Sequence, residues 1–448
     1  MSTSGALPGF RDFYPVECAE REHIFGAWRR VAHRYAFVEY DGPPLEALEL
    51  YTRKSGDEIV GQLYAFTDKG GREVALRPEM TPSFARMVAA RANALRKPLR
   101  WYSLPQLFRY ERAQKGRLRE HFQLNVDIVG EPGEAADAEL IAVAVDVMRE
   151  LGLSDQDVRV KVSDRRLLFA ALDAMGFDDA QRSEALAVVD KMARQTHDES
   201  AARLRKAGLA DDQAERLLGL VRARDLAEFV RAAGDPRVAR AAESLTAVFE
   251  YLDALGKRGW VDFDATIVRG LAYYTGVVFE LFDARGELRA ICGGGRYDDL
   301  LMSLGGVDLP ALGFGMGDVV LGELLRARGL MPAGAGSTHA DVCVVGGPGA
   351  ATRPYADALR LVRTLRDGGF AVDHAMSADR YASQAPRNQL EGARKSGARA
   401  AIFFDDDGRV TALALAGALG TAPRWSTPAE DALTGAGLGA LRSWLDSL

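Results

Sequence analysis

The pattern of apolar and polar positions predicts a pair of strands near residue 110. Residues 101–106 alternate, the alternation stops at Lys115 and Gly116, and it returns through Phe122, Leu124 and Val126. Two antiparallel strands around a glycine-containing turn produce such a pattern. The hairpin is rich in basic side chains and carries two carboxylates: Arg109, Arg112, Lys115, Arg117 and Arg119, against Glu111 and Glu120. This charge predicts a polyphosphate ligand, or phosphate with nucleic acid, and an edge hairpin kept soluble by arginine is the alternative.

Helical periodicity predicts three further parts of the fold. A run from Glu17 to about Tyr35 places Ile24, Trp28 and Val31 on one face, and residues 135–151 form an alanine-rich amphipathic pattern. From 163 to 257 the chain has Leu, Ala, Arg and Glu at helical spacing and few β-branched residues. Because strand-like alternation resumes over 261–268, we interpret residues 163–257 as a helical insertion within a sheet domain.

The last quarter of the chain predicts a separate α/β domain. Small residues dominate 332–338 and indicate a linker, which we assign to 331–337. Beyond it, strand patterns at 341–345, 371–374 and 400–404 alternate with helical patterns at 352–367 and 381–396. Such alternation is typical of a mostly parallel sheet, here over residues 338–448, after a larger domain over 1–330.

Composition excludes several classes of protein. The 448 residues are 48% hydrophobic and 27% charged, which is ordinary for a globular protein of two or three domains. The net charge of −6 argues against nonspecific coating of nucleic acid, so an RNA partner must meet local basic patches. Three isolated cysteines predict a reducing compartment and no structural metal. The chain has no signal-peptide pattern and no long apolar run, so we expect a cytoplasmic protein without a membrane span.

Several motifs combine chemistry-bearing residues with glycines. Residues 76–81 read LRPEMT and end a strand with Arg, Glu and Thr together, and residues 269–274 read RGLAYY between predicted strands. Residues 292–298 read CGGGRYD, in which three glycines could form a simple flexible turn. Each motif alone also has a purely structural explanation. Polar residues at a strand end are often simply exposed to solvent, and a pair of tyrosines often packs in a core.

Together these strings resemble one family. The segment Phe108–Arg112, followed by Gln114–Arg117, Gln123 and Asp127, resembles the second signature motif of class II aminoacyl-tRNA synthetases in its histidyl-tRNA synthetase form. The LRPEMT, RGLAYY and CGGGRYD strings resemble motifs characteristic of the same family. Residues 8–15 and the helix after them resemble its first motif, which builds the dimer interface there.

The resemblance implies a fold and a reaction. The expected fold is α+β, with an antiparallel-sheet catalytic domain, its helical insertion and a C-terminal α/β domain like the family's anticodon-binding domain. The expected reaction joins histidine to ATP as histidyl-adenylate, with Mg²⁺ accompanying ATP, and then transfers the histidyl group to tRNA(His). The expected assembly is a homodimer.

The resemblance also implies roles for single residues. Arg109 is expected to bind the α-phosphate, and Arg269 the substrate carboxylate and α-phosphate from the other side. No general base is needed, because the attacking carboxylate is already ionised at pH 7. These two arginines are therefore the expected catalytic residues, each stabilising the transition state by about 3 kcal/mol.

The remaining expected roles divide between histidine and ATP. Histidine is expected to bind to six residues: Glu79, Thr81 and Gln123 at its α-ammonium group, Asp127 and Tyr274 on either side of its imidazole ring, and Tyr273. ATP is expected to bind to Glu111, through the adenine amino group, and to Arg117, besides Arg109.

Three positions depart from the family's pattern. Ala272 stands where an Asp is usual, and Val320 stands where the third motif has an arginine that contacts ATP. The pair His121 and Phe122 also differs, so which ring stacks on adenine is left open. We expect Mg²⁺ and the hairpin cations Arg112, Arg117 and Arg119 to replace the missing arginine, which makes ATP affinity sensitive to Mg²⁺ and Arg117.

Two other functions fit parts of the sequence. A relative of these synthetases is the regulatory subunit of ATP phosphoribosyltransferase, which senses histidine and catalyses nothing. Val320 and Ala272 favour that alternative, whereas the motif arginines and the C-terminal α/β pattern favour the synthetase. An unrelated RNA-binding module would explain the basic hairpin but not the LRPEMT and RGLAYY strings.

Overall fold

The structure is a computed structural model. It describes residues 5–52, 60–111, 116–192, 195–268, 273–332, 340–346, 353–383, 386–416, 422–432 and 434–448. The chain forms two units, one of residues 1–13 with 18–333 and one of residues 14–17 with 334–448.

The first unit contains both strands and helices, and its described residues include six consecutive α-helices between the eighth and ninth strands. Its strands are β1 (Val38–Glu39), β2 (Leu45–Ala47), β3 (Ala65–Thr67), β4 (Glu73–Leu76), β5 (Leu99–Ser103), β6 (Gln106–Phe108), β7 (Glu120–Val129), β8 (Val158–Asp164), β9 (Val261–Phe263), β10 (Val277–Asp283), β11 (Cys292–Arg296) and β12 (Ala311–Gly317). Its helices are α1 (Pro15–Arg34), α2 (Glu49–Thr52), α3 (Thr81–Arg91), α4 (Glu134–Glu150), α5 (Arg165–Ala174), α6 (Asp179–Val189), α7 (His197–Lys206), α8 (Asp211–Leu220), α9 (Leu226–Ala233), α10 (Pro236–Ala254), α11 (Leu300–Gly305) and α12 (Asp318–Ala327).

A nine-stranded sheet is the centre of this unit. Its strand order is β1-β5-β7-β12-β11-β10-β8-β9, with β6 also paired to β7. Adjacent strands are antiparallel, apart from parallel pairs at the two edges, β1 with β5 and β8 with β9. The predicted α+β fold with an antiparallel sheet is therefore confirmed, and the hairpin predicted from alternation is the β6–β7 pair.

Two helices cover one face of the sheet because each has a continuous apolar stripe. Helix α1 buries Ile24, Trp28 and Val31, as its periodicity predicts, and α4 is buried along most of its length. Both pack in one core with Leu124 and Val126 of β7. Since side chains alternate along a strand, the odd-numbered residues of β7 face the opposite side of the sheet.

The helical insertion begins slightly later than the sequence indicates. Ser163 and Asp164 complete β8, where they pair with Val278 and Val277 of β10, so the helices run from Arg165 to Ala254. Asp164 then caps α5, because its side chain accepts a hydrogen bond from the Arg166 backbone N–H.

The predicted strand over 261–268 is too long. Its ladder ends at Phe263, and the Asp264 carboxylate accepts hydrogen bonds from both the backbone N–H and the hydroxyl of Thr266. This local turn competes with strand pairing, as short polar side chains commonly do.

The second unit has strands β13 (Val342–Val344), β14 (Val372–His374), β15 (Ala400–Phe404), β16 (Arg409–Ala414) and β17 (Arg424–Pro428). Its helices are α13 (Tyr355–Asp367), α14 (Ala378–Ser383), α15 (Pro386–Lys395), α16 (Ala429–Ala432) and α17 (Gly435–Asp446). The pattern at 381–396 thus corresponds to parts of two helices rather than to one.

The sheet of the second unit is mixed rather than mostly parallel. Its order is β14-β13-β15-β16-β17, with β13 parallel to both β14 and β15 and the last two pairings antiparallel. The expectation was wrong because the chain turns back at 405–408 and forms the antiparallel β15–β16 hairpin. The sequence pattern did not predict the second strand of this hairpin. Among the described residues of the whole chain, no helix is long and apolar enough to cross a membrane.

The second unit has its own apolar core, so we predict that residues 338–448 fold in isolation. Val342, Leu361, Ile402 and Leu441 lie in that core. The fragment should unfold cooperatively in urea, followed by circular dichroism. Ile402→Ala should lower the free energy of unfolding by roughly 2–5 kcal/mol because it leaves a cavity, whereas the exposed Leu359→Ala should change it little. Gradual, non-cooperative unfolding of the unmodified fragment would contradict the assignment.

Candidate functional site

A polar cavity lies on the face of the large sheet opposite α1 and α4. Seven of the residues expected at the site line it: Glu79, Thr81, Arg109, Gln123, Asp127, Tyr273 and Tyr274. Asn125, Tyr297 and four residues of β11 and β12, namely Gly293, Gly313, Phe314 and Gly315, complete the lining. Residues from Glu79 to Gly315, 236 positions apart in the chain, therefore meet at one place.

The register of β7 explains which side chains reach the cavity. Gln123, Asn125 and Asp127 are odd-numbered and share the open face, whereas Leu124 and Val126 point into the core. The neighbouring strand β12 places glycine beside each of them, with Gly313 opposite Asp127, Gly315 opposite Asn125 and Gly317 opposite Gln123.

The glycines of β12 are required by close approach. A Cβ atom on Gly313 would overlap Asp127 Oδ1 and stand 2.7 Å from Tyr297 Oη. A Cβ atom on Gly315 would stand 2.7 Å from Cδ of Gln123. Any larger residue would displace the polar side chains, so glycine here makes the cavity possible. The three consecutive glycines at 293–295 likewise lie in a buried strand, β11, and not in a turn.

At one end of the cavity, Asp127 and Tyr297 form a buried pair. The Tyr297 hydroxyl donates a hydrogen bond to Asp127 Oδ1. Burial raises the pKa of Asp127 to about 7, and the Tyr297 hydrogen bond opposes that rise. Burial, with the Asp127 charge, also raises the pKa of Tyr297 well above its ordinary value. This end of the cavity can therefore supply a carboxyl group whose proton is exchanged near neutral pH.

Sequence reasoning missed Tyr297 as a site residue. Its CGGGRYD motif was recognised, but nothing in the string assigns a direction to the tyrosine. The rings of Tyr273 and Tyr274 lie 5.8 Å and 6.4 Å from the Tyr297 ring, which makes an aromatic group around Asp127.

Arg296 anchors the end of β11 next to Tyr297. Its guanidinium forms a buried ion pair with Asp137 on α4 and donates to the backbone carbonyls of Glu131 and Gly133. Burial raises the pKa of Asp137 to about 6, against the opposing effect of Arg296. The pair ties β11 to α4 and so holds Tyr297 over Asp127.

Arg77, a second buried arginine, holds the part of the cavity wall that contains Glu79 and Thr81. The Arg77 Nε donates to the carbonyl of Gln106, and its Nη1 donates to Asp41 and to the carbonyl of Gly42. These bonds hold the segment between β4 and α3, which carries Glu79 and leads directly into Thr81, the first residue of α3. The carbonyl of Pro78 in this segment accepts a hydrogen bond of 2.9 Å from Arg109 Nε. Among the described residues this is the one hydrogen bond that the Arg109 side chain makes, so its two terminal nitrogens can donate to other acceptors.

The hairpin side chains form a second cluster beyond Arg109. Arg117 Nε lies 2.6 Å from Glu111 Oε2. The Arg119 Nε donates to the Glu111 carbonyl, and its guanidinium lies 4.4 Å from the centre of the Tyr110 ring. Arg117 and Arg119 therefore each contact Glu111, one at its carboxylate and the other at its backbone carbonyl.

The two neighbouring rings of β7 face opposite sides of the sheet. The Phe122 ring packs against Phe13 and Phe25 at 5.9 Å and 5.3 Å, on the side of α1. His121 lies on the cavity side, where burial and the charges of Arg109 and Arg11 lower its pKa to about 3. The imidazole of His121 is therefore neutral near pH 7.

An ion-pair network joins three distant segments beside this ring. Arg11 Nε donates to Glu120 Oε1 at 2.6 Å, and its Nη1 donates to Asp318 Oδ2 at 2.8 Å. The other oxygen of Asp318 accepts from the Phe122 backbone N–H. The start of α12 is thereby fixed to β7.

Several residues that the sequence analysis singled out lie outside the described residues, among them Arg112, Arg269 and Ala272. Val320, in the first turn of α12, is buried in the main core.

Comparison with solved structures supports the fold. Histidyl-tRNA synthetase from Nostoc sp. matches with a TM-score of 0.78 and 21% identity, covering 96% of this chain and 98% of that one. A Bacillus halodurans protein, described as an ATP phosphoribosyltransferase regulatory subunit/histidyl-tRNA synthetase, matches with a TM-score of 0.70 and 24% identity, over 90% of this chain and 98% of that one.

Sequence comparison goes further than the fold. The histidine–tRNA ligase of Opitutus terrae is 46% identical over 411 residues, which is 91% of this chain and 92% of that protein. The family model described as histidyl-tRNA synthetase matches residues 9–317. The chain therefore belongs to the histidyl-tRNA synthetase family.

Proposed function

We propose that this chain is a histidine–tRNA ligase, which activates histidine with ATP to histidyl-adenylate and transfers the histidyl group to tRNA(His). The observation that carries the proposal is the cavity itself, where seven residues expected from the family's motifs meet. Membership of the family and the 46% identical ligase support the same activity. The alternative of a silent regulatory subunit has less support, because curated relatives that cover most of the chain are named histidine–tRNA ligases.

The imidazole of histidine fits the end of the cavity that contains Asp127. A neutral imidazole has one N–H donor and one nitrogen acceptor. Asp127, which the Tyr297 hydroxyl holds by its hydrogen bond, can accept from the N–H group, and the hydroxyls of Tyr273 and Tyr274 can donate to the other nitrogen. Because this end is buried, an unpaired polar group would be costly, which favours histidine over amino acids that cannot make both bonds.

With the imidazole at that end, the α-ammonium group of histidine binds to Glu79, Thr81 and Gln123. Glu79 is nearly buried, so its carboxylate acts with little screening by water. This arrangement turns the substrate carboxylate toward Arg109, a cation that lines the cavity.

Adenylate formation requires two anions to approach each other. The substrate carboxylate attacks the α-phosphorus of ATP, a new O–P bond forms, and pyrophosphate leaves as the α–β bond breaks. Arg109, held through Nε by the Pro78 carbonyl, keeps its terminal N–H groups for the α-phosphate. Arg269 is proposed to contact both anions from the other side.

Adenine is proposed to bind beyond Arg109. Glu111 would accept from its amino group, and His121 would stack on its ring, since Phe122 is committed to the core. A neutral His121 suits this role because a positive charge would compete for the phosphates. Arg117 would exchange its contact with Glu111 for one with ATP.

The remaining partners follow from the family. ATP would enter as its Mg²⁺ complex, and tRNA(His) would bind with the help of the C-terminal unit. We propose a homodimer in the cytoplasm. Exposed apolar side chains on β1 to β3, Val38, Leu45 and Phe66, support an interface near the first motif.

Arg269→Ala is expected to lower histidine-dependent exchange of pyrophosphate into ATP by about two decades or more. The reason is that its charge is felt mainly in the transition state. Arg240→Ala, which removes an exposed arginine of α10, is the matched control and should leave the exchange rate unchanged. Near wild-type exchange by a folded Arg269 variant would rule out the role.

A chain ending at residue 330 should still form the adenylate but should charge tRNA poorly. The described site residues all lie within residues 79–315. Pyrophosphate exchange and tRNA aminoacylation should be measured on the same preparation, whose cooperative unfolding is checked first. If both activities fell together in a folded protein, the division of labour would be wrong.

Asp127→Asn should remove a pH-dependent loss of stability. Below about pH 4 the carboxyl is protonated in both folded and unfolded chains. As the pH rises toward about 7, only the unfolded chain ionises, so the wild type loses up to about 4 kcal/mol relative to the Asn variant. The free energy of unfolding of the first unit should be followed in urea across this range without histidine.

Asp190→Asn, at an exposed position, is the control and should follow the wild type. Parallel pH profiles for wild type and Asp127→Asn would show that the carboxyl is not held neutral. The Asn variant should also bind histidine more weakly near neutral pH, because an amide cannot replace the carboxylate as acceptor at the same place.

A further inference from the structure

The family's ATP-contacting arginine is replaced here by Val320, and three separate segments meet around that position. A Cβ atom on Gly116, in the hairpin turn, would stand 3.4 Å from Val320 Cγ2, 3.9 Å from Arg289 Cδ and 3.9 Å from Glu323 Oε2. The hairpin turn, the segment before β11 and the first turns of α12 therefore converge within contact distance. Arg289 is the cation that this convergence brings beside Val320.

The backbone around Arg289 is anchored. The Ile291 N–H donates to the Leu281 carbonyl, and the Ile291 carbonyl accepts from the N–H of Gly317, the residue before α12. Two residues before this anchor, Arg289 is exposed at the side of the α12 N-terminus. Helix N-termini favour negative charge, so an anion would be attracted to the same place by the helix and by the arginine.

Two of the hairpin cations, Arg117 and Arg119, are less available for this role. Arg117 is paired with Glu111, and Arg119 is held by the Glu111 carbonyl and the Tyr110 ring. Among the described residues none forms a hydrogen bond or ion pair with the Arg289 guanidinium. Glu323 Oε2, in the same convergence, is buried and likewise accepts no hydrogen bond from a described group, so its charge favours a cation at this place.

We propose that Arg289 binds the β- and γ-phosphates of ATP and takes the place of the arginine that Val320 lacks. The proposal rests on the proposed ligase function and extends it to a residue outside the recognised motifs. Arg109 and Arg269 then serve the α-phosphate, where the bond changes occur, and Arg289 serves the leaving pyrophosphate.

The test compares ATP with AMP, which shares the adenine, ribose and α-phosphate but lacks the two outer phosphates. Binding of each to the full chain is measured by calorimetry at a fixed, saturating Mg²⁺ concentration. Arg289→Ala should weaken ATP binding by about 10- to 100-fold, as expected for lost charge-assisted hydrogen bonds, and should leave AMP and histidine binding unchanged. Arg289→Lys should be intermediate, because lysine keeps the charge but not the paired N–H groups.

Arg285→Ala is the matched control, since it removes another exposed arginine from the same connection between β10 and β11. Equal ATP binding by Arg289→Ala and Arg285→Ala would overturn the proposal. So would equal weakening of ATP and AMP, which indicates a structural effect. Arg117→Ala is measured beside them, and an ATP-specific loss there alone would return the role to the hairpin.

Failure of the ligase function would look different. A wild type that binds histidine but supports no pyrophosphate exchange would contradict the ligase, whereas the comparison of ATP and AMP would still report on Arg289. Wild-type exchange together with unchanged nucleotide binding by Arg289→Ala would contradict Arg289 alone.

Discussion

The site depends on one steric constraint, the close approach of β12 to the polar side chains of β7. Gly313 and Gly315 lack the Cβ atoms that would otherwise occupy the positions of Asp127 and Gln123. Because of this, a carboxylate and an amide can lie flat over the middle of a sheet whose other face is packed core. The same constraint buries Asp127 completely enough to raise its pKa to about 7. The close approach of β12 therefore explains both why Asp127 fits at this end of the cavity and why its pKa is raised.

Two buried arginines hold the segments around this cavity in fixed positions. Arg296 joins β11 to α4 through Asp137, and Arg77 joins the segment before α3 to the loops around it. Removing one partner from such a buried pair is strongly destabilising, by about 3–5 kcal/mol. These arginines bind no substrate in the proposed function. Their contribution is to hold Tyr297, Glu79 and Thr81 in positions that a catalytic site requires within a fraction of an ångström.

The two ends of the site use opposite electrostatics. Around Asp127 charge is scarce, tyrosines dominate, and a polar substrate group is recognised by pairing in a buried space. Beyond Arg109 the side chains are cationic and more exposed, which suits a polyphosphate that must enter and whose product must leave. His121 stays neutral at the boundary between the two. In the proposed function, this division lets one cavity select an amino acid tightly and still release pyrophosphate.

The sequence by itself determined most of the local elements and pointed to seven of the residues that line the cavity, though not to Tyr297. Alternation along β7 is enough to place Gln123 and Asp127 on one face, and each motif could be recognised because it is a short, continuous string. Tertiary structure alone decided which face is the cavity, and therefore that Phe122 belongs to the core while His121 lies on the cavity side. It also decided that Tyr297 meets Asp127, that Arg117 pairs with Glu111, and that Arg289 lies beside Val320. Periodicity records the direction of a side chain relative to its own strand or helix, whereas a contact depends on the distance between segments far apart in the chain, and only the packed sheet sets that distance.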